Sequence, residues 1–386
     1  MKTVPFEFAT AGQIVFGRGS LDALGSRVAS LGGRAFVVTG SDPSRTGVFD
    51  RLAKAGIDVT AFHITAEPTT ENASEGVSLA RDASCDVVVG VGGGSVLDGA
   101  KAIAALLTNG GEPLDYLEVI GAGRKIERPS APFVAVPTTS GTGSEVTRNA
   151  VLASPEHRVK VSLRSVLMLP RLALLDPELT LSVPPAVTAS TGLDALTQVL
   201  EPFVSSRANP LTDALCRDGL ARAARSLRRA YEDGGDLDAR EDMALVSLYG
   251  GMALANAGLG AVHGFAGPLG GMLSAPHGAL CARLLPGVIT ANVKALRERA
   301  ADSPVLARYA EVARILTGRG DASPEEGAAW VGELGEALSI PGLSAHGLGT
   351  ADLETAVSKS RNASSMRGNP IVLTDDELHG ILEEAM

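Results

Sequence analysis

Two imidazoles, a carboxylate and an amide stand out in this chain for the company they keep. Asp194 lies in TGLDALTQVLEPFVS (residues 191–205), where Leu193, Leu196, Val199, Leu200 and Phe203 recur at helical spacing. Gln198 follows four residues later, on the same helical face one turn away. Two such polar groups on or near an apolar face need a partner. His263 and His277 lie in NAGLGAVHGFAGPLGGMLSAPHGALCARLLP (residues 256–286), which is nearly free of charge. Two imidazoles and a carboxylate form a ligand set for zinc, or for ferrous iron with open positions. A histidine on an apolar helix also occurs as a satisfied core residue, so spacing alone leaves both readings open. His63 lies on a strand, and His157, His346 and His379 lie in polar contexts without partners. These four read as structural or surface residues.

A second chemistry is written in DVVVGVGGGSVLDGAKAIA (residues 86–104). A strand runs into Gly92, Gly93 and Gly94, and a helix starts at Ser95. Glycines let the main chain approach a ligand, and the free N–H groups of a new helix attract an anion. The spacing is not G-x-G-x-x-G, so the Rossmann fingerprint is not claimed. Ser95 and Asp98 match an S-x-x-D capping pattern, which leaves Asp98 either a cap or part of a ligand site. After the next strand, PTTSGTGSEVTRN (residues 137–149) offers Thr138, Thr139, Ser140, Thr142 and Ser144. Alone it reads equally as a solvated Ser/Thr loop. Two such loops at the ends of successive strands favour a shared dinucleotide site.

The elements that must carry these residues fall into two grammars. Short apolar runs at 34–40, 57–64, 85–91 and 131–139 alternate with helical patterns at 48–56, 71–84 and 95–109. Buried β-branched runs separated by helices predict βαβ units, a parallel Rossmann-like sheet and ligands beyond the carboxyl ends of its strands. After DPELTLSVPPA (residues 176–186) long Ala/Leu-rich helical patterns take over, at 187–205, 210–233, 241–258, 277–300, 305–316 and 325–338. Pro184-Pro185 punctuates the change. The expected organisation is an α/β dinucleotide-binding domain over residues 1–183 and an all-α metal- and substrate-binding domain over 184–386.

Composition narrows the function classes. With 45% hydrophobic residues in 386, the chain can bury a large core. Glycine, 45 of 386 or about 12%, exceeds the usual ~7%, as many tight turns or ligand approaches require. A net charge of −10, with no basic run longer than RSLRRA (residues 225–230), argues against nucleic acid. MKTVPFEFAT lacks a signal peptide's apolar segment, and no uninterrupted apolar run approaches the ~18 residues of a spanning helix. Cys85, Cys216 and Cys281 are odd in number and far apart. They read as small core residues in a reducing cytoplasm, not as a disulfide framework or a cysteine zinc site.

Taken together, GGGSVLDGAK, PTTSGTGSEVT, DPELTLSVPP, TGLDAL with the following Glu201, the two histidines with thirteen residues between them ending in PHG, and NPIVLTDDEL form an ordered set. Over nearly its whole length the chain resembles the iron-containing (group III) alcohol dehydrogenase family. The resemblance implies a dehydroquinate synthase-like architecture: an α/β nucleotide domain, a helical metal domain and an active-site cleft between them. It implies hydride transfer between NAD or NADP and a small alcohol or aldehyde, with Fe2+ or Zn2+ as divalent metal. It also implies a homodimer or higher homo-oligomer, for which residues 4–17 offer a surface pairing strand.

The family's metal is held by an aspartate, a histidine one turn later and two further histidines. Asp194, His263 and His277 match, whereas the second position holds Gln198, a weaker, neutral ligand. Related glycerol dehydrogenases and dehydroquinate synthases use one carboxylate and two histidines. A second departure is Gly267, where many members carry a histidine thought to help proton transfer. The resemblance matches Gly94 and Ser95 to cofactor-phosphate residues, and the glycine-loop reading adds Gly93 and Asp98 as cofactor-binding candidates. The resemblance also matches Thr138, Thr139, Asn149 and Lys160 to residues that line the nucleotide and nicotinamide, and the hydroxyl-rich loop adds Thr142 as a cofactor-binding candidate. Lys160 joins Asp194, His263 and His277 as a candidate catalytic residue, although in HRVKVSL it also reads as an exposed lysine. NAD-preferring relatives often place an aspartate where Gly40 stands. Gly40 and Ser41 remove that repulsion and tilt the expectation slightly to NADP, although Asp42 can restore it. The alternatives are a metal-independent reductase similar to maleylacetate reductase, a dehydroquinate synthase-like lyase, and a non-catalytic nucleotide-binding protein.

Overall fold

The computed structural model describes residues 5–157 and 159–386. The described residues divide into two compact units, one of residues 9–139, 143–157 and 159–181, the other of residues 5–8, 140–142 and 182–386.

The first unit is an α/β layer structure. Its strands are β1 (Ile14–Phe16), β2 (Arg34–Thr39), β3 (Asp58–His63), β4 (Val87–Gly92), β5 (Phe133–Pro137), β6 (Asn149–Ser154), β7 (Val159–Arg164) and β8 (Leu172–Leu175). Its helices are α1 (Leu24–Ala29), α2 (Val48–Lys54), α3 (Thr70–Asp82), α4 (Gly94–Asn109) and α5 (Pro113–Tyr116). Six strands form one parallel sheet in the order β1-β8-β5-β4-β2-β3. The apolar runs are continuous because both faces of the sheet are covered. Phe36, Val38, Val88 and Phe133 enter one core, while Ala35, Val37, Val87, Val89 and Val134 enter the other. From β2 the chain steps outward to β3, then crosses back to β4 on the other side. The crevice beyond the carboxyl ends of β2 and β4 is therefore where a parallel sheet binds its ligand.

Two features escaped the sequence reading. β6 and β7 pair as an antiparallel hairpin, which alternates buried Ala150, Leu152, Val161 and Leu163 with more exposed neighbours. At the N-terminus the ordered pairing is short: β1 joins β8 inside the sheet, and residues 5–13 form no strand. The proposed pairing segment begins at Val4, which lies outside the described residues.

The second unit is helical: α6 (Pro185–Val204), α7 (Pro210–Glu232), α8 (Leu237–Ala257), α9 (Ala261–Met272), α10 (His277–Arg299), α11 (Val305–Thr317), α12 (Pro324–Ala337), α13 (Leu353–Arg361) and α14 (Asp375–Ala385). Pro185 takes the first position of α6, where its missing N–H costs nothing. α9 was hidden in the sequence by Gly264, Gly267, Gly270, Gly271 and Pro268, all poor helix formers. α10 is long and apolar enough to cross a bilayer, but 72% of its apolar stretch is buried inside the protein. It is a core helix, packed on α6, α9, α12 and α14.

Candidate functional site

Three helices of the second unit bring the metal-ligand candidates together. Asp194 sits mid-way along α6 and is 3% exposed, enclosed by the apolar face that gave the helix its pattern. α10 starts at His277, directly after Pro276. Gly278 lets it come close: a Cβ there would lie 2.0 Å from the Ser190 carbonyl oxygen and 3.2 Å from the Asp194 Cβ. α9 supplies His263, which is buried.

The donor atoms converge. His263 Nε2 lies 3.3 Å, and His277 Nε2 4.0 Å, from Asp194 Oδ1. The two rings tilt together with centroids 5.4 Å apart. Cys281, one turn after His277, places Sγ 3.8 Å from His263 Nε2 and 3.7 Å from His277 Nε2. One ligand atom from each of Asp194, His263, His277 and Cys281 lies within 4.8 Å of all the others. His277 is 42% exposed at its side chain, so the cluster is reachable from one side.

Behind His263 stands Glu201, two turns after Asp194 on α6. Its Oε2 is 2.7 Å from His263 Nδ1, and its Oε1 accepts the Val262 N–H at 2.7 Å. With Nδ1–H donating to Glu201, the lone pair of His263 stands on Nε2, facing Asp194 and Cys281.

The test of fit is what these donors lack. Asp194 Oδ1 and Gln198 Oε1 are buried without a hydrogen-bond partner. Gln198 spends its Nε2 on the Gly141 carbonyl at 3.1 Å, and the Gly141 N–H donates to Ser247 Oγ at 2.9 Å. A buried oxygen left unpaired costs about 1–3 kcal/mol. A carboxylate, two imidazole nitrogens and a thiol with no other partner for the carboxylate oxygen fit a divalent cation. Burial alone would raise the Asp194 carboxyl, but the neighbouring imidazoles of His263 and His277 hold it below its ordinary value. Cys281 and then Asp194 push His277 up to about 8 against the effect of burial.

The first unit gathers most of the nucleotide candidates at the carboxyl ends of neighbouring strands. Gly40 and Ser41 follow β2, Gly93, Gly94 and Ser95 follow β4, and Thr138 and Thr139 follow β5. The Thr138 N–H donates to the Gly92 carbonyl at 3.0 Å. A Cβ on Gly93 would lie 3.3 Å from Thr139 Oγ1, so the two loops touch. Gly93 precedes α4 without a side-chain cap. The capping reading of Asp98 is therefore corrected: its Oδ1 accepts from Ser144 Oγ and its Oδ2 from the Val151 N–H. Thr142 belongs to the helical unit, unlike the other loop candidates. Asn149 and Lys160 lie on the hairpin, where Lys160 Nζ is 3.4 Å from Glu67 Oε2.

Cys281 is the residue whose chemistry the sequence reading missed. It is buried like a core filler, but its sulfur faces both imidazoles. The available signal was its position four residues after His277, on the same helical face. Of the remaining histidines, His63 Nδ1 pairs with Thr39 Oγ1 and His157 Nδ1 with Ser154 Oγ, each with a local partner.

Comparison with known proteins identifies the family. Residues 11–177 match the family model described as iron-containing alcohol dehydrogenase, and residues 188–386 match the C-terminal model of the Fe-containing alcohol dehydrogenase family. Alcohol dehydrogenase 4 of Saccharomyces cerevisiae (strain YJM789) is 34% identical over 377 residues, 96% of each chain. The 1,3-propanediol dehydrogenase of Klebsiella pneumoniae is 40% identical over 305 residues, 77% of this chain and 78% of its own. A crystal structure of 1,3-propanediol oxidoreductase superposes with a TM-score of 0.91 at 33% identity, covering 99% of this chain and 100% of the other.

Proposed function

The chain belongs to the iron-containing alcohol dehydrogenase family, a family of NAD(P)-linked oxidoreductases acting on alcohols, and from that premise we propose a metal-dependent alcohol dehydrogenase/aldehyde reductase. The observation that carries the metal dependence is the buried, unpartnered Oδ1 of Asp194 facing two imidazoles. Asp194, His263 and His277 hold Fe2+ or Zn2+. When bound, the metal supplies Lewis acidity to a small alcohol or aldehyde oxygen, and NAD or NADP supplies the hydride acceptor or donor.

The chain's own residues provide position and field. Glu201 fixes the His263 ring so that Nε2 stays available. Gly93, Gly94 and Ser95 at the start of α4 offer backbone N–H groups and the helix dipole to the cofactor phosphates. Gly40 and Ser41 place no carboxylate against a ribose 2′-phosphate, which supports the slight lean to NADP. Thr138, Thr139, Thr142, Asn149 and Lys160 line the nucleotide and nicotinamide, while Asp98 acts on that site through Ser144 and the hairpin backbone. Gln198 acts from beside the ligands: its amide nitrogen is committed to Gly141. Gly267 has no side chain to take the hydroxyl proton, so this position would not serve as the proton relay. Three free cysteines fit a cytoplasmic setting, and the short edge strand β1 is where a second copy of a homo-oligomer can pair.

The test is metal content of protein purified without chelator, followed by NADH and NADPH oxidation with a panel of aldehydes. Metal-free protein with full turnover would overturn the reading in favour of a metal-independent reductase. Glu201→Gln keeps the shape but removes the charge behind His263. It is expected to weaken metal affinity by about 10–100-fold, measured by competition with a chromogenic chelator. Affinity also depends on pH. His277 must be neutral to ligate and stands at about 8 without metal, and His263 also stands well above the ordinary imidazole value, so metal affinity should climb as pH rises across this range. Chelator competition between pH 6 and pH 9 checks the sign; affinity flat across that window would contradict the ligand assignment.

A further inference from the structure

We propose that Cys281 is the fourth protein ligand of this metal, standing in for the histidine that the chain lacks at Gln198, and that it biases the site toward thiophilic zinc over iron. The inference rests on the metal reading above and deepens it.

Four of the six donor separations fit a tetrahedral site. With metal bonds of about 2.0–2.2 Å to nitrogen or oxygen and ~2.3 Å to sulfur, tetrahedral ligand atoms stand roughly 3.3–3.6 Å apart. The separations here are 3.3 Å for His263–Asp194, 4.0 Å for His277–Asp194, 3.8 Å for His263–Cys281 and 3.7 Å for His277–Cys281. All are close to these values, and none is so short that the donors would have to part to admit an ion. The fourth corner would thus be filled by sulfur, and a substrate oxygen would join as a fifth ligand. The unpartnered Asp194 oxygen independently marks the point at which the donors aim.

Gln198 offers the weaker donor. Its nitrogen is held by Gly141, and its neutral oxygen is a weaker donor than a thiolate for a borderline metal. Cys281 and His277 stand on consecutive turns of α10, so the helix presents both from one face. When the metal–sulfur bond forms, the thiol S–H breaks and its proton passes to solvent. Soft sulfur in place of imidazole favours zinc or cobalt over ferrous iron.

Cobalt replacement tests this. The metal-free protein is titrated with Co2+, and the visible d–d bands and near-ultraviolet sulfur-to-cobalt charge-transfer band are recorded together. We expect both in the unaltered protein, a charge-transfer band lost in Cys281→Ala and Cys281→Ser, and an unaffected band in Cys216→Ala. Zinc affinity in Cys281→Ala should fall by at least about 10-fold, with iron affinity changed less. Visible bands without a charge-transfer band in the unaltered protein would overturn the cysteine ligand and leave the metal site standing. Absence of stoichiometric Co2+ or Zn2+ binding would instead sink the metal reading itself. The unaltered protein decides both points, so a poorly folding variant does not blunt the test.

Discussion

Asp194→Asn is expected to leave the helical unit folded but nearly empty of metal and nearly inactive. The substitution keeps the volume of a residue only 3% exposed and removes the single negative charge set between His263 and His277. Outer partners of metal ligands already cost about 10–100-fold in affinity or activity, so loss of a direct ligand should exceed that range. Turnover with NAD(P)H and a good aldehyde should fall by more than ~100-fold. Metal content after dialysis should fall in parallel, with little change in circular dichroism. Full metal occupancy with full turnover would remove the carboxylate from the centre of the mechanism.

Lys101→Met is expected to produce the largest loss of stability. Lys101 is fully buried, and its Nζ donates to the Ser144 carbonyl, Ser144 Oγ, Thr147 Oγ1 and the Asn149 carbonyl at 2.7–3.0 Å. Asp98 Oδ1 stands 3.6 Å away. Burial holds the ammonium below its ordinary value, and the Asp98 and Glu145 carboxylates oppose that. Methionine fills the stem's volume but leaves Asp98 buried without its cation. Breaking such a pair costs about 3–5 kcal/mol. Chemical denaturation should report that loss, and Tm should drop on the order of 10 °C. Combining Asp98→Asn with Lys101→Met should recover part of it. The same variant should raise the KM for NAD(P)H, because this cation ties α4 to the segment between β5 and β6. A loss below about 1 kcal/mol would show that the network is not what secures that segment.

Much of this was legible in the sequence because the signals are local. The run ending in Gly92-Gly93-Gly94 had one reading as strand, turn and helix, and β4 and α4 follow it closely. Asp194, His263 and His277 were legible as chemistry because charge and imidazole are conspicuous in apolar surroundings. What stayed hidden depends on contacts between distant turns. Asp98 matches a capping pattern because Ser95 stands three residues before it, whereas the groups that donate to its carboxylate, Ser144 Oγ and the Val151 N–H, lie some fifty residues away. Cys281 looked like a core residue because its burial is real. Only the approach of α9 and α10 shows where its sulfur points. α9 itself was obscured because its glycines lower helix propensity, and packing restores what propensity withholds.

The contact at Gly278 sets the tolerance of the whole centre. Main chain meets main chain there, so the span between Asp194 and His277 is fixed by peptide atoms, not by side chains that could relax. The pocket is therefore a gauge cut before any ion arrives. Ions of zinc's radius should enter without strain, and a markedly larger one, such as cadmium, should bind only by tilting the rings.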